Sequence, residues 1–321
     1  MSIRPSSSSE FNSLESTLSK KEYPFHKYFI CFLTFITVLF IALRILINLY
    51  DFPLLLEISR DVDFNILLRG FHNGLRDFYK NVEMPSGIPD WPPYYLYFWY
   101  FLFLPMGLIP FEIGVYIWDA LRLISVSYII LKAYKIFGNR KDLFIFYGLL
   151  TIGYLIDGWF NNVNFVILFF LFLSYSFVND DEKLLAGIFF TLATFKINSI
   201  LFLPVIIAAR KIRFRDLLYY LIPFFIICLP YLIFPDFLSQ MLNNWLSSDA
   251  NVQGLTIVDS ILWKALQPSH LMFISFLYII FFESLTEGKR KKQIRIIIII
   301  LFTVYYIYNS LVVWIFPTFL S

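Results

Sequence analysis

The feature that most constrains this chain is a series of nine apolar segments that together occupy most of its length. Hydrophobic residues make up 59% of the 321 residues, and the mean hydropathy is +0.70. A soluble domain of this size has no interior that could bury so much apolar surface, so we predict an all-α polytopic membrane protein. The segments lie at about residues 25–50, 93–109, 112–133, 143–157, 160–178, 184–208, 217–235, 268–285 and 294–316.

The rest of the sequence predicts one membrane domain and excludes several classes of site. Residues 1–24 are rich in serine and charge and lack periodicity, which predicts a disordered tail, and residues 25–321 form a single transmembrane domain. The chain has no Walker loop and no HExxH, so nucleotide binding, metalloprotease chemistry and nucleic-acid recognition have no support. The two cysteines, Cys31 and Cys228, lie in apolar segments and provide no disulfide framework.

Clusters of lysine and arginine predict which loops face the cytoplasm. Basic runs at 20–27, 210–215 and 289–295 place the N-terminal tail and two later loops there. The loops 51–92 and 236–267 then face outside.

One basic loop contradicts a simple path of nine crossings. That path places residues 179–182 outside, which suits their acidity, but it also places the basic stretch 132–141 outside. Either this loop is an exception, or a segment such as 93–109 or 184–208 is re-entrant or broken. Broken helices are tolerated where they line a cavity in the protein.

The long loop 51–92 is predicted to contain an amphipathic helix on the outer membrane surface. The residues that recur at helical spacing on its apolar face are Phe64, Leu67, Leu68, Phe71, Leu75 and Phe78. The residues of its polar stripe are Asp61, Asn65, Arg69, His72 and Arg76. Gly70 and Gly74 weaken the helix, so two short pieces are the alternative.

Two carboxylates in this loop, Asp61 and Asp63, are candidates for a general base. Such a base must reach the proton that it removes from an acceptor hydroxyl. The structural alternative is that Asp63 caps a helix beginning at Phe64, because Asp is a favoured N-cap residue. Two carboxylates are too few to predict a metal site.

Lys196 lies inside an apolar segment, where a cation costs roughly 2.5–3.5 kcal/mol on insertion scales. The positions one turn away carry no carboxylate, so its partner comes from another helix or from an anionic ligand such as a phosphate. Arg69, His72 and Arg76 also suit a lipid phosphate. Their structural alternative is a solvated or headgroup-contacting face.

Other charges and rings have mainly structural interpretations. Asp119 and Arg122 stand three residues apart in one apolar segment, and we predict that they pair with each other. Trp91 and Tyr94 belong to an aromatic run that is typical of a membrane-interface belt, although such rings also stack on sugars.

The order of several short motifs resembles a known family. The motifs, in chain order, are Asp63-Phe64, Gly74-Leu-Arg-Asp-Phe-Tyr79, Asp90-Trp-Pro-Pro-Tyr94, Gly158-Trp-Phe-Asn161, and Ala186-Gly187 followed by Lys196, Leu203-Pro204 and the basic loop 210–215. This order resembles the polyprenyl-phosphate-mannose-dependent mannosyltransferase-like family of the GT-C glycosyltransferases. The chain departs from that pattern at Trp91, where tyrosine is usual, and at Trp159, where glutamine is common.

The resemblance implies a GT-C-like bundle and an inverting sugar transfer on the outer face of the plasma membrane. A hexose, mannose first, would move from a polyprenyl-phosphate donor to a lipid or glycan acceptor, with no cofactor. Asp63 would be the base, with Asp61 as the local alternative. Lys196 would bind the donor phosphate, assisted by Arg69, His72 or Arg76. The residues expected to line the substrate are Trp91, Tyr94, Trp159 and Asn161.

Two other classes of function remain open at this stage. A transporter or lipid-linked sugar flippase would explain a lysine at membrane depth, although the chain shows no internal repeat. A non-catalytic membrane scaffold would leave Asp63 and Lys196 without a shared cavity.

Overall fold

The structure is a computed structural model that describes residues 25–50, 61–74, 77–80, 93–137, 140–195, 199, 202–208, 211–247 and 271–284. Within these residues every regular element is a helix, which confirms the predicted all-α class. The predicted tail, residues 1–24, and the last predicted segment, 294–316, lie outside the described residues.

The helices of the described residues vary widely in length. In chain order they are α1 (Phe25–Tyr50), α2 (Val62–Asn73), α3 (Tyr97–Leu102), α4 (Leu104–Gly107), α5 (Phe111–Ile136), α6 (Arg140–Phe160), α7 (Asn164–Asn179), α8 (Lys183–Ala193), α9 (Phe202–Ala208), α10 (Leu218–Cys228), α11 (Pro230–Ile233), α12 (Pro235–Ser247) and α13 (Leu271–Ser284). Among them, three stretches are long and apolar enough to cross a membrane: Phe25–Ile47, Phe111–Ile136 and Lys141–Phe160.

Helices α1 and α5 run antiparallel. Near the end of α1, Arg44 donates to Asp119 in the first half of α5, with a nitrogen–oxygen distance of 2.6 Å. At the opposite end, the ring of His26 in α1 lies 4.3 Å from that of Tyr134, near the end of α5. We call the Arg44 end of the bundle the network end and the His26 end the basic end.

This pairing constrains the segment 93–109, which stands between α1 and α5 in the chain. A segment that crossed the membrane would make α1 and α5 parallel. Instead the segment forms the short helices α3 and α4, and both its ends lie at the network end. Tyr95 accepts a hydrogen bond of 2.6 Å from Tyr79, which follows α2. Pro110 leads directly into α5.

The segment 184–208 also begins and ends at one end of the bundle. Lys183, at the start of α8, forms an ion pair of 3.2 Å with Asp216, which follows α9. Lys211 donates to Asn179 at the end of α7, at 3.0 Å. The described part of this segment comprises two helices, α8 and α9, and the two ends of the segment lie together at the basic end.

These contacts correct the simple path of nine crossings. That path placed residues 179–182 opposite the loop 210–215, but the two are in direct contact. Helix α7 runs parallel to α5, because Phe165 packs on Trp118 and Phe172 packs on Tyr128. The described part of the basic stretch 132–141 consequently lies at the same end as the loop 210–215, which removes the conflict that the sequence presented.

A helix is present in the first long loop, as predicted, but it ends at Asn73, before Phe78, and it packs into the bundle instead of lying on its surface. Phe64 and Leu67 are fully buried, and Leu68 is 5% exposed. Gly70 lies inside the helix and does not divide it. A Cβ there would come within 2.4 Å of the Tyr100 ring, so glycine allows the helix to pack closely against α3. Gly74 ends the helix with a φ of +78°, which favours glycine.

Candidate active site

Asp61 holds the start of α2 at the network end. It is the N-cap residue, with a left-handed φ of +56°, and its side chain makes no capping hydrogen bond. Its Oδ1 accepts from Arg44 Nη2 at 2.9 Å and from Asn161 Nδ2 at 2.7 Å. Helix α2 begins at Val62, so Asp63 lies inside the first turn and does not serve as the N-cap.

Asp119 joins two arginines. Its Oδ2 accepts from Arg44 Nη1 and its Oδ1 accepts from Arg122 Nη1, both at 2.6 Å. The predicted pairing of Asp119 with Arg122 is therefore confirmed. The pair is also part of a larger arrangement that includes Asp61, because Arg44 bridges the two carboxylates with separate nitrogens.

Arg122 extends the arrangement to the end of α6. Its Nε donates to Asp157 Oδ2 at 3.1 Å, and its Nη2 donates to Asn161 Oδ1. Asn161 also has a left-handed φ, of +47°. Asn161 thus links the two halves of the site, since its amide donates to Asp61 while its carbonyl oxygen accepts from Arg122.

We call these six residues the buried network: Arg44, Asp61, Asp119, Arg122, Asp157 and Asn161. All are buried, and Asp119, Arg122, Asp157 and Asn161 are fully so. Buried charges are stable only when they are paired and hydrogen-bonded, and each arginine here spans at least two acceptors. Such mutual pairing holds the six side chains together at the network end.

A chain of aromatic contacts connects the neighbour of Asp63 to the neighbour of Lys196. Phe64 lies 5.4 Å from Trp118, measured between ring centroids, and Trp118 lies 5.3 Å from Phe103. Phe103 in turn lies 5.5 Å from Phe195. This chain of ring contacts brings Phe64 of α2 and Phe195, which follows α8, to the same region of the network end.

A second hydrogen-bonded group fixes the loop that follows α2. The phenol of Tyr79 donates to the Tyr95 carbonyl and lies 3.0 Å from the Tyr231 hydroxyl. Burial raises the pKa of Tyr79 well above its usual range, so the phenol remains a donor at neutral pH. In α12, Asn244 donates to the carbonyls of Tyr79 and Pro93 at 2.7 and 2.8 Å.

A small cleft opens beside the buried network, between α1 and α6. The residues that line it are Phe40, Leu43, Arg44, Ile47, Gly158 and Trp159. The helices approach closely there: a Cβ on Gly158 would lie only 2.7 Å from the Phe40 ring, so the position requires glycine. The cleft is mainly apolar, and Arg44 is its charged group.

The structure describes some of the predicted site residues in full, others only in their helix, and others not at all. Trp159 lines the cleft, and its carbonyl accepts a long hydrogen bond of 3.4 Å from the Asp61 amide. Tyr94 is half-buried beside Tyr95. Asp63, Arg69 and His72 belong to α2, but their side chains lie outside the described set. The residues wholly outside it are Arg76, Trp91 and Lys196.

Sequence reasoning missed two members of the buried network, Arg44 and Asp157. The signal for Arg44 was present, since it is a cation inside the apolar stretch that follows Lys27 in α1. Asp157 stands directly before the Gly158-Trp-Phe-Asn161 motif, so a carboxylate near the end of an apolar segment was the available sign.

Comparison with protein families gives one match. A family model described as Glycosyltransferase family 87 matches residues 94–308, about two thirds of the chain. No curated protein and no solved structure gives a match. The chain therefore belongs to glycosyltransferase family 87 and is a membrane glycosyltransferase, which uses a sugar donor and an acceptor.

Proposed function

We propose that this family 87 glycosyltransferase transfers a hexose, mannose as the first candidate, from a polyprenyl-phosphate donor to a lipid or glycan acceptor. The observation that carries the proposal is the convergence of two chain segments at the network end. One is the start of α2, which carries Asp63 and is held by the buried network. The other is the turn at Phe195, which leads to Lys196.

The reaction is an inverting displacement at the anomeric carbon. Asp63 accepts the proton of the acceptor hydroxyl as its oxygen forms the new bond to that carbon. The bond from the anomeric carbon to the donor phosphate oxygen breaks on the opposite face, and the polyprenyl phosphate leaves with the electron pair. Lys196 stabilises the charge that develops on this phosphate, assisted by Arg69, His72 or Arg76.

Asp63 is the better base of the two candidates because the Asp61 carboxylate is already bound by other side chains. Oδ1 of Asp61 accepts from both Arg44 and Asn161, and the residue is 3% exposed. A carboxylate held by a guanidinium is a weaker proton acceptor and is shielded from an incoming hydroxyl. Asp61 therefore supports the site, and Asp63 performs the chemistry.

The orientation follows from the charge of the two ends. Lys135, Lys211, Arg213 and Arg215 all lie at or near the basic end, which by the positive-inside rule faces the cytoplasm. Helix α1 starts at that end, so the N-terminus is cytoplasmic. The network end, with the site, then faces the outer side of the plasma membrane, where lipid-linked sugar donors meet their acceptors.

The test is sugar transfer by purified protein from labelled polyprenyl-phosphate hexoses, with membrane extract as the acceptor source. Asp63→Asn keeps the shape of the side chain and removes the base, so transfer should be lost while the protein remains folded. Asp77→Asn is the matched control, because Asp77 is a half-exposed carboxylate of the same loop that pairs with Lys80. Absence of transfer by the wild type with every hexose donor would contradict the proposed polyprenyl-phosphate hexose donor.

A further inference from the structure

We infer that Asp61, Arg44 and Asn161 act as a positioning clamp that fixes the start of α2 and thereby aims Asp63. The inference rests on the function proposed above and assigns these three residues a role distinct from that of the base. Within the described residues, three non-glycine positions have a positive φ, and Asp61 and Asn161 are two of them.

These two left-handed residues are hydrogen-bonded to each other although they stand 100 positions apart in the chain. A left-handed φ is uncommon for a non-glycine residue, although Asp and Asn adopt it more readily than others. At Asp61 the surrounding contacts hold it in place: Arg44 and Asn161 bind the carboxylate, and the backbone N–H donates to the Trp159 carbonyl. The site therefore fixes a left-handed backbone geometry directly before Val62.

That geometry determines where α2 begins. The side chain of Asp61 provides no capping hydrogen bond to α2 and instead binds Arg44 of α1 and Asn161, which directly follows α6. Arg44 is bound at the same time to Asp119 of α5. The first turn of α2, which carries Asp63, is thus tied to helices on both sides of the cleft, and a shift of the clamp would move Asp63 relative to its substrate.

The clamp and the base make different demands on Asp61. A clamp needs an acceptor oxygen and tolerance of a left-handed φ, and asparagine supplies both. A base needs a titratable carboxylate, which asparagine lacks. Asp61→Asn should therefore lower kcat by about tenfold at most, because a neutral acceptor replaces a charged one. Asp61→Ala removes the acceptor and should lower kcat by about 100-fold, the size of effect that a misplacement of about 1 Å can have.

Arg44 provides a second variant that keeps the charge. Lysine is a compact point charge and cannot bridge Asp61 and Asp119 with a planar fork as arginine does. Arg44→Lys should therefore lower kcat and leave the KM for the donor near the wild-type value, since a displaced base affects the chemical step more than donor binding.

The experiment measures kcat and donor KM for Asp61→Asn, Asp61→Ala, Arg44→Lys and Asp63→Asn, normalised to correctly folded protein, with Asp77→Asn as the unperturbed reference. The inference is supported if Asp61→Asn retains transfer that Asp63→Asn and Asp61→Ala lose. It is overturned if Asp61→Asn is as inactive as Asp63→Asn, which would make Asp61 the base. A raised donor KM with normal kcat in Arg44→Lys would also overturn it. If Asp61→Ala fails to fold, the Asn and Lys variants decide the question. A wild type without transfer would reject the proposed function instead.

Discussion

The two ends of the bundle both use ion pairs, but they place them in different environments. At the network end, Arg122 and Asp119 are fully buried. Asp119 also pairs with Arg44, and Arg122 also binds Asp157 and Asn161. At the basic end, Lys183 and Asp216 join two segments across a loop, and the lysine side chain is 35% exposed. Coulomb attraction is much stronger away from water, and so is the penalty for an unpaired charge. The network end is therefore rigid and intolerant of change, whereas the basic end depends less on its charges.

The largest expected contrast concerns which loops share a side of the membrane. Asp180→Cys and Arg213→Cys place thiols at exposed positions of the basic end, and Asp77→Cys places one at the network end. In sealed vesicles of the full chain with Cys31 and Cys228 replaced by serine, an impermeant maleimide should modify the first two from one side and the third from the other. Labelling of positions 180 and 77 from the same side would restore the path of nine crossings.

The next largest effect is expected on removing a buried charge. Arg122→Met leaves Asp119 with one partner fewer and strips Asp157 of an ion pair. Breaking a buried pair on one side costs about 3–5 kcal/mol, so the thermal midpoint in detergent should fall sharply. Arg213→Met removes an exposed arginine at the basic end and is the control. Equal midpoints for the two variants would show that the buried network does not stabilise the fold.

How much of this arrangement could be read from the sequence depended on the distance between partners along the chain. Asp119 and Arg122 are three residues apart on one helix, so their pairing was predictable. Asp61 and Asn161 are 100 residues apart, and no local pattern indicates that they meet. Asn161 entered the candidate set only through the Gly158-Trp-Phe-Asn161 motif. Its role in joining Asp61 to Arg122 required three-dimensional contacts.

The sequence was also limited in predicting which apolar segments cross the membrane. The basic stretch 132–141 indicated a conflict with a simple path of nine crossings, because charge placement is a constraint on the whole path. The sequence offered 93–109 and 184–208 as alternatives, and both return to the end from which they start. Apolar composition alone cannot separate a crossing helix from a broken pair such as α8 and α9, since both are buried in lipid or protein.

A smaller loss of stability is expected when the close packing of helices at the basic end is disturbed. Gly187 in α8 lies against α10, and a Cβ there would come within 1.8 Å of the Tyr219 carbonyl oxygen. Backbone atoms cannot rotate away, so Gly187→Ala should separate the helices and cost about 1–3 kcal/mol. Gly148→Ala in α6 is the matched control, since nothing lies within 4 Å of its added Cβ. The control should match or slightly exceed the thermal midpoint of the wild type, and a similar loss in both variants would exclude close packing as the cause.

The smallest effect is expected at the ion pair of the basic end, and it depends on pH. Burial alone would raise the pKa of Asp216, but the Arg213 backbone N–H and the Lys183 ammonium outweigh it, so the pKa lies below its usual value. A lowered pKa in the folded protein means that the carboxylate stabilises the fold above the ordinary Asp value of 3.8, and that this stabilisation is lost as the pH falls through the folded pKa. At neutral pH, Asp216→Asn should cost less than about 1 kcal/mol, because Lys183 is partly solvated. The difference in thermal midpoint between wild type and variant should shrink as the pH is lowered from 7 towards 3. A difference that stays constant over this range would assign the loss to the hydrogen bond from Arg213 rather than to the charge of Asp216.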